Sequence, residues 1–234
     1  MVDFSLTRTS RPAVLNRREC IALALPALCA GLLAATSASS AQAASTVRPH
    51  TLLVVGDSLS AEYGLARGSG WVALLATRLA ARQPPVEVIN ASISGDTTAG
   101  GRSRLAALLA QHRPSHVVIE LGGNDALRGL PLAATTANLT AMAQSARAAG
   151  AAVLLVGMQV PPNYGAAYGR DFAALFGQVA RQTGSALVPF LLAGIADDAD
   201  AQRWFQPDRI HPLASAHPRI LETVWTVLGP WLKR

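Results

Sequence analysis

A serine and a distant Asp-x-x-His pair are the residues of this sequence whose types and spacing could do chemistry. Ser58 lies in the segment 56–60 (GDSLS), directly after the apolar run 52–55. Asp208 precedes His211 by three positions, so both side chains can point to the same side of one turn. The carboxylate can then hold one imidazole nitrogen and leave the other to face a serine hydroxyl, as nucleophilic acyl transfer requires.

Each of these residues also has a purely structural interpretation. Ser58 could cap a helix, because a serine oxygen readily accepts a hydrogen bond from a helical N–H group. Asp208 and His211 could form a surface ion pair at the start of the last helix. The choice depends on whether donors for a developing oxyanion exist elsewhere in the chain.

Two further turns offer such donors. Gly95, in 94–97 (SGDT), has no Cβ, so a ligand can approach its N–H closely. Asn124, in 122–125 (GGND), has a side-chain amide that donates. We expect Ser58 to begin a turn into a helix, which would aim its own N–H into the same site. Gly95 and Asn124 are also common turn formers, so their role depends on where the fold places them.

The remaining titratable residues have ordinary expected roles. Asp57, Asp96 and Asp125 stand beside the candidate residues and are predicted to cap turns or helices. Glu120 lies inside an apolar run and needs a partner that the sequence does not identify. We find no metal-ligand spacing, no dinucleotide fingerprint and no Walker loop, and we therefore expect neither a metal nor a cofactor.

Apolar runs of strand length alternate with amphipathic segments along the chain. The predicted strands are 51–56, 86–93, 116–121, 152–160 and 186–192. The predicted helices are 71–82, 102–112, 133–149, 172–183 and 215–227, the last ended by Gly229-Pro230. This alternation favours an α/β fold with a parallel sheet between helices. Right-handed crossovers would bring every strand's carboxyl end, and with it Ser58, Gly95 and Asn124, to one edge.

The N-terminal segment has the layout of a secretory signal. Arg17-Arg18 precedes an uncharged, mainly apolar run over 20–35, and Ala41-Gln42-Ala43 follows as a small-residue cleavage site. The run is shorter than the roughly 20 residues that span a bilayer. We therefore predict that residues 1–43 are cleaved, with a retained membrane anchor as the alternative. Residues 44–234 would form one domain in the periplasm or outside the cell.

Composition narrows the classes of partner. The formal net charge is +6, but the basic residues are scattered singly, which argues against nucleic-acid binding. Both cysteines, Cys20 and Cys29, lie in the predicted signal, so no thiolate or disulfide chemistry is expected in residues 44–234. We expect a small-molecule substrate, no stable membrane insertion after cleavage, and a monomer.

The four motifs together resemble the sequence blocks of the GDSL, or SGNH, hydrolases. Longer stretches, 90–97, 120–129 and 162–165, are similar to the bacterial periplasmic thioesterase and lysophospholipase branch of that family. The resemblance implies a flavodoxin-like three-layer sandwich with a five-stranded parallel sheet. It implies that Ser58 is the nucleophile, His211 the base and Asp208 its orienting acid, with Gly95 and Asn124 in the oxyanion hole and no cofactor.

The resulting hypothesis is an exported serine esterase that acts on aryl esters, acyl thioesters or lysophospholipids. One alternative keeps this fold and mechanism but takes carbohydrate O-acetyl groups as substrates, because a fold by itself does not specify a substrate. Another is a non-catalytic flavodoxin-like binding module. The pairing of Asp208 with His211 argues against that module, because ligand binding alone does not require an oriented base.

Overall fold

The computed structural model describes residues 50–232 of this protein. These residues belong to one compact unit, Thr46–Arg234. The predicted export signal over residues 1–43, with its cleavage site and both cysteines, lies outside the described residues.

In the described part of the chain, five parallel strands form one sheet. They are β1 (His50–Gly56), β2 (Val86–Asn90), β3 (His116–Glu120), β4 (Ala152–Val156) and β5 (Ala186–Val188). The order across the sheet is β2-β1-β3-β4-β5, which is the flavodoxin-like order. The apolar run 52–55 of β1 is fully buried, as expected for a strand covered on both faces. The predicted α/β fold is confirmed.

Within residues 50–232, six α-helices lie around the sheet. They are α1 (Trp71–Ala80), α2 (Thr98–His112), α3 (Gly123–Leu127), α4 (Leu132–Ala148), α5 (Ala166–Thr183) and α6 (His217–Trp231). Contacts link α1 with α6 on one side of the sheet, and α4 with both α2 and α5 on the other. Helix α1 buries Trp71, Leu75 and Leu79, a spacing of four residues that lines one helical face. Among residues 50–232, no helix has the length and apolar character needed to cross a membrane.

Several boundaries differ from the predictions. Strands β2, β4 and β5 end three or four residues before their predicted ends, because the chain leaves regular strand pairing at the carboxyl edge. After β2, one further bond to β1 remains, in which Ile93 N–H donates to Gly56 O at 3.0 Å. Helix α3 forms where only a turn was predicted. Helix α6 continues through Pro230, where the predicted stop was wrong. A proline removes one N–H, and Leu232 N–H still donates to Leu228 O at 3.0 Å.

The strand order positions the candidate site. The chain moves from β1 to one neighbour, β2, and later returns to the other side of β1 as β3. Ligands of open α/β sheets bind beyond the carboxyl ends of the strands at such a reversal. Ser58 follows β1, Gly95 follows β2 and Asn124 follows β3, so the fold brings these three loops to the same edge.

Candidate active site

Ser58, His211 and Asp208 form one chain of hydrogen bonds. His211 Nε2 lies 2.8 Å from Ser58 Oγ, although 153 positions separate the two residues in the sequence. The other ring nitrogen, Nδ1, lies 2.6 Å from Asp208 Oδ2. When Nδ1–H donates to the carboxylate, Nε2 carries the lone pair that can accept the serine proton. The arrangement can therefore activate a serine hydroxyl.

The turn from Asp208 to His211 orders both side chains. Asp208 Oδ1 accepts the backbone N–H groups of Ile210 and His211, at 2.9 and 3.0 Å. Arg209 between them has φ 59°, the left-handed conformation that bends the chain back on itself. Partial burial raises the pKa of Asp208, but hydrogen bonds from the His211 backbone, the His211 ring and the Ile210 N–H outweigh it and hold the pKa at about 2. The carboxylate is therefore ionised at neutral pH.

A short hairpin-like loop carries this turn at its tip. Phe205 and Pro212 form an isolated antiparallel bridge. Gln206 N–H donates to His211 O at 2.8 Å, and Leu213 N–H donates to Trp204 O at 2.7 Å. These bonds fix the backbone on both sides of the imidazole, and we call the segment 204–213 the histidine loop.

Tyr63 and Gln206 connect the histidine loop to the loop after Ser58. The Tyr63 ring packs on the His211 imidazole with centroids 4.3 Å apart. The Gln206 side-chain amide donates to Tyr63 O at 3.0 Å and to Pro212 O at 3.2 Å. Gly64 permits this approach, because a Cβ there would lie 2.2 Å from Gln206 Oε1. The sequence contained no signal for this link, since its residues are far apart and match no motif.

The turn after β1 differs from its prediction. We expected Ser58 to lead into a helix, but the N–H groups of Ser60 and Ala61 both donate to Asp57 O, at 3.2 and 2.9 Å, in a single turn. Glu62 then takes a left-handed φ of 60°, which ends that turn. Helix α1 begins only after a further loop. The geometry around Ser58 is thus a strand followed by one tight turn.

Glu120, whose partner could not be identified from the sequence, is bound to this turn. Its Oε2 accepts the Ser60 hydroxyl at 2.7 Å and the Asp57 N–H at 3.4 Å. Burial raises the pKa of Glu120 well above its usual range, and the nearby Asp57 carboxyl raises it further. A Cβ at Gly56 would lie 2.8 Å from Glu120 Oε2, so the glycine of the motif allows this close contact. Glu120 therefore holds the turn after β1 in place through these two hydrogen bonds.

Asp57 joins the Ser58 turn to the third loop. Its Oδ1 accepts Leu59 N–H at 3.0 Å, and its Oδ2 accepts an N–H of the Asn124 side chain at 3.1 Å. Burial raises the pKa of Asp57 to about 6, against the lowering effect of those two hydrogen bonds. Asp57 thus caps the turn as predicted, and it also holds the Asn124 amide in one orientation.

Gly95 and Asn124 lie on the two loops beside Ser58. Gly95 has φ +78°, which favours glycine, and its carbonyl oxygen accepts Arg128 Nη2 at 2.7 Å. With its carbonyl held in this way, the Gly95 N–H donates to no group among residues 50–232, and neither does the N–H of Ser58. Asn124 has a second side-chain N–H besides the one bound to Asp57. These donors remain available to an anionic oxygen.

The two neighbouring aspartates bind within the loops. Asp125 is buried, and its Oδ2 accepts the Thr98 N–H at 2.8 Å, which caps the start of α2. Asp96 Oδ1 accepts Thr97 N–H at 3.0 Å, and its Oδ2 pairs with Arg104 Nε at 2.8 Å. Their predicted capping roles match these contacts.

A second histidine close to the site is structural. His217 is buried at the start of α6, and its Nδ1 accepts the Trp71 N–H at 3.0 Å. Burial lowers the pKa of His217, which favours the neutral ring that this contact requires. Within the described part of the chain, no group of three or more His, Cys, Asp and Glu side chains could hold a metal ion.

The chain is similar to known proteins over most of its described length. Residues 54–219 match the GDSL-like lipase/acylhydrolase family. The chain is 56 % identical to the esterase TesA of Pseudomonas aeruginosa over 182 residues, which cover 78 % of this chain and 89 % of that protein. It is 41 % identical to thioesterase 1/protease 1/lysophospholipase L1 of Escherichia coli K12 over 180 residues, 77 % of this chain and 84 % of that one.

A solved structure extends the likeness to three dimensions. The crystal structure of TesA superimposes with a TM-score of 0.74 at 55 % identity, covering 77 % of this chain and 99 % of the TesA chain. The five-stranded parallel sheet, the four motifs in order and these matches lead to one conclusion: the chain belongs to the GDSL-like lipase/acylhydrolase family.

Proposed function

We propose that this hydrolase cleaves carboxylic esters and thioesters through an acyl-enzyme formed on Ser58. The observation that carries the proposal is the continuous hydrogen-bonded chain from Ser58 Oγ through the His211 ring to the Asp208 carboxylate. The names of the relatives, an esterase and a thioesterase/lysophospholipase, support the substrate classes.

The first half of the reaction forms the acyl-enzyme. Ser58 Oγ attacks the carbonyl carbon while His211 Nε2 takes the hydroxyl proton. Asp208 stays ionised because its pKa is about 2, and it stabilises the imidazolium that results. The oxyanion accepts hydrogen bonds from the Ser58 and Gly95 N–H groups and from the Asn124 amide. Such donors act strongly because they are already oriented before charge develops.

The two products leave one after the other, one in each half of the reaction. The His211 imidazolium gives its proton to the leaving alcohol or thiol as the tetrahedral intermediate collapses to the acyl-enzyme. Water then enters, loses a proton to His211 and attacks the acyl carbon, and Ser58 regains its proton as the carboxylic acid departs. Each residue is returned to its starting protonation state, so no cofactor is consumed.

We also propose that the enzyme is exported to the periplasm or beyond, that residues 1–43 are removed, and that it acts as a monomer. The basic, apolar and small-residue pattern of the N-terminus supports export. Since all five site residues come from one chain, a monomer can hold a complete site.

The test is hydrolysis of p-nitrophenyl acyl esters and of an acyl-CoA by residues 44–234. This part contains the whole described fold, and the solved TesA chain that it matches over 99 % of its length has a similar extent. We expect Ser58→Ala to lose at least about 10³-fold in kcat. The control is Ser103→Ala, which removes an exposed hydroxyl of α2 bonded only to Gly100 O and should keep parental turnover. Equal turnover of both variants would contradict the proposal.

A further inference from the structure

The loop that carries Gly95 is held differently at its ends and at its tip. At its start, Ile93 N–H donates to the last residue of β1 at 3.0 Å. At its end, Asp96 Oδ2 pairs with Arg104 Nε of α2 at 2.8 Å. Between these points, the Gly95 carbonyl accepts one hydrogen bond from the described residues, which Arg128 Nη2 donates at 2.7 Å. The loop after β3 thus holds the tip of the loop after β2.

Arg128 belongs to the same short element as Asn124. Asn124 lies in the first turn of α3, and Arg128 directly follows the last residue of that helix. The Arg128 N–H donates to Asn124 O at 3.1 Å, so one helical turn links the two residues. Since Asp57 also holds the Asn124 side chain, the guanidinium and the Asn124 amide extend from one fixed unit.

Gly95 needs such a contact because its own conformation is free to change. It is the third residue of a turn closed by the Asp96 N–H, which donates to Ile93 O at 3.1 Å, and it has φ +78°. A glycine reaches this and many other conformations at little steric cost. A hydrogen bond to its carbonyl restricts the movement of the turn. Oxyanion donors are most effective when they are in place before charge develops.

The two arginines that bind this loop differ in their surroundings. The Arg104 side chain is 19 % exposed, and it also donates to the carbonyl oxygens of Ala91 and Gly56, so it joins the loop to the sheet. Arg128 is exposed, and within residues 50–232 its side chain has no ion pair and no hydrogen bond besides that to Gly95. A surface contact of this kind contributes little to stability, so an effect of Arg128 should appear in turnover.

We propose that Arg128 is a positioning residue, which binds the Gly95 carbonyl and thereby sets the Gly95 N–H relative to the Asn124 amide. The proposal rests on the proposed function, in which both groups bind the oxyanion. Arg128 itself transfers no proton and need not touch the substrate. Its effect should therefore fall on kcat rather than on KM.

The first test is steady-state hydrolysis of p-nitrophenyl acetate by Arg128→Met, residues 44–234. We expect kcat to fall roughly tenfold while KM changes less than about twofold, because a displaced donor stabilises the transition state less well. The matched control is Arg102→Met, which removes an exposed arginine of α2 with one side-chain bond, to Asn138 Oδ1 at 3.2 Å. It should keep parental kcat, and both variants should keep the parental thermal unfolding midpoint.

A double-mutant cycle with Gly95→Ala tests whether Arg128 acts through Gly95. A Cβ at Gly95 would lie 3.7 Å from Arg128 Nη2, an ordinary contact, so this variant disturbs the donor through the positive φ. Residues that act through one another give non-additive losses. In the Gly95→Ala background, we therefore expect Arg128→Met to lower kcat by less than about threefold.

Three results would overturn the positioning role. They are parental kcat in Arg128→Met, a rise in KM with unchanged kcat, and losses from the two substitutions that multiply in full. Ser58→Ala, measured in parallel, separates this role from the proposed function. If Ser58→Ala loses turnover and Arg128→Met does not, only the role of Arg128 is wrong; if Ser58→Ala keeps turnover, both proposals are wrong.

Discussion

Two Ser–His pairs lie at opposite edges of the same sheet, and their partners differ completely. At the carboxyl edge, Ser58 Oγ lies 2.8 Å from His211 Nε2, and the other ring nitrogen binds the Asp208 carboxylate. At the amino edge, Ser115 Oγ lies 2.9 Å from His116 Nδ1, directly before β3. Distance alone would not distinguish them.

In the second pair, the Ser115 hydroxyl is already bound, and no residue between 50 and 232 supplies an orienting acid. Ser115 Oγ donates to Thr51 O at 3.1 Å and accepts Thr51 N–H at 3.2 Å, so it links two strands. Burial lowers the pKa of His116, and the neighbouring His50 adds to this. The His116 ring packs edge-on against the Trp231 ring, with the ring centroids 4.7 Å apart. No carboxylate among residues 50–232 bonds to His116. The comparison shows that the partners of a Ser–His pair decide what it can do.

The size of a cavity does not show where the candidate catalytic residues lie either. A cavity of about 890 Å³ lies at the amino edge, and Ser115 and His50 are among the residues that line it. None of the five predicted site residues borders it. The carboxyl edge is the better candidate because donors, acceptors and an available hydroxyl converge there.

Replacing His211 and His116 one at a time should give the largest difference in turnover between two variants. We expect His211→Ala to lower kcat on p-nitrophenyl acetate by about 10⁴-fold or more, because the serine loses its base. His116→Ala should keep turnover but cost roughly 1 kcal/mol in the free energy of unfolding, through lost packing on Trp231. Steady-state kinetics and chemical denaturation of both variants measure this. A catalytic loss in His116→Ala comparable to that in His211→Ala would break the distinction between the pairs.

Removing the side-chain oxyanion donor should have the next largest effect. We expect Asn124→Ala to lower kcat about 10²- to 10³-fold, since one of three donors is lost where charge develops. Asn138→Ala is the matched control, because that amide bonds Thr98 Oγ1 at 3.1 Å on the flank of α4. Parental turnover in Asn124→Ala would remove this residue from the mechanism.

Replacing Tyr63, whose ring packs on His211, should have the smallest effect on turnover. We expect Tyr63→Ala to lower kcat roughly two- to fivefold with little change in KM, because the His211 imidazolium loses the aromatic ring that packs on it at a tilt of 37°. Tyr63→Phe keeps the aromatic ring and should restore the parental kcat. A rise in KM with an unchanged kcat would instead make Tyr63 a substrate contact.

The sequence predicted those parts of the site that depend on local spacing and strand ends. Short motifs were enough to single out Ser58 and the pair of Asp208 and His211. The alternation of apolar runs with amphipathic segments was enough to predict a parallel sheet. The Tyr63–Gln206 link escaped prediction because it joins residues 143 positions apart through a backbone carbonyl. Glu120 and Ser60 likewise meet only after β1 and β3 pair.

Element boundaries were less predictable for a related reason. Strand β2 ends at Asn90 although apolar residues continue, because regular pairing with β1 stops where the loops begin to diverge. Helix α6 passes Pro230 because the lost hydrogen bond falls in its final turn, where tertiary packing already holds the helix. Such boundaries depend on neighbours that local sequence patterns do not report.

The most direct test of the Ser58 assignment is mass-spectrometric mapping of a fluorophosphonate adduct on the intact parental fold. We expect one adduct, on Ser58, whose formation is abolished by Ser58→Ala and strongly slowed by His211→Ala. Ser115, despite a histidine nitrogen at 2.9 Å, should stay unmodified. An adduct on Ser115, or labelling that survives Ser58→Ala, would show that Ser58 is not the nucleophile.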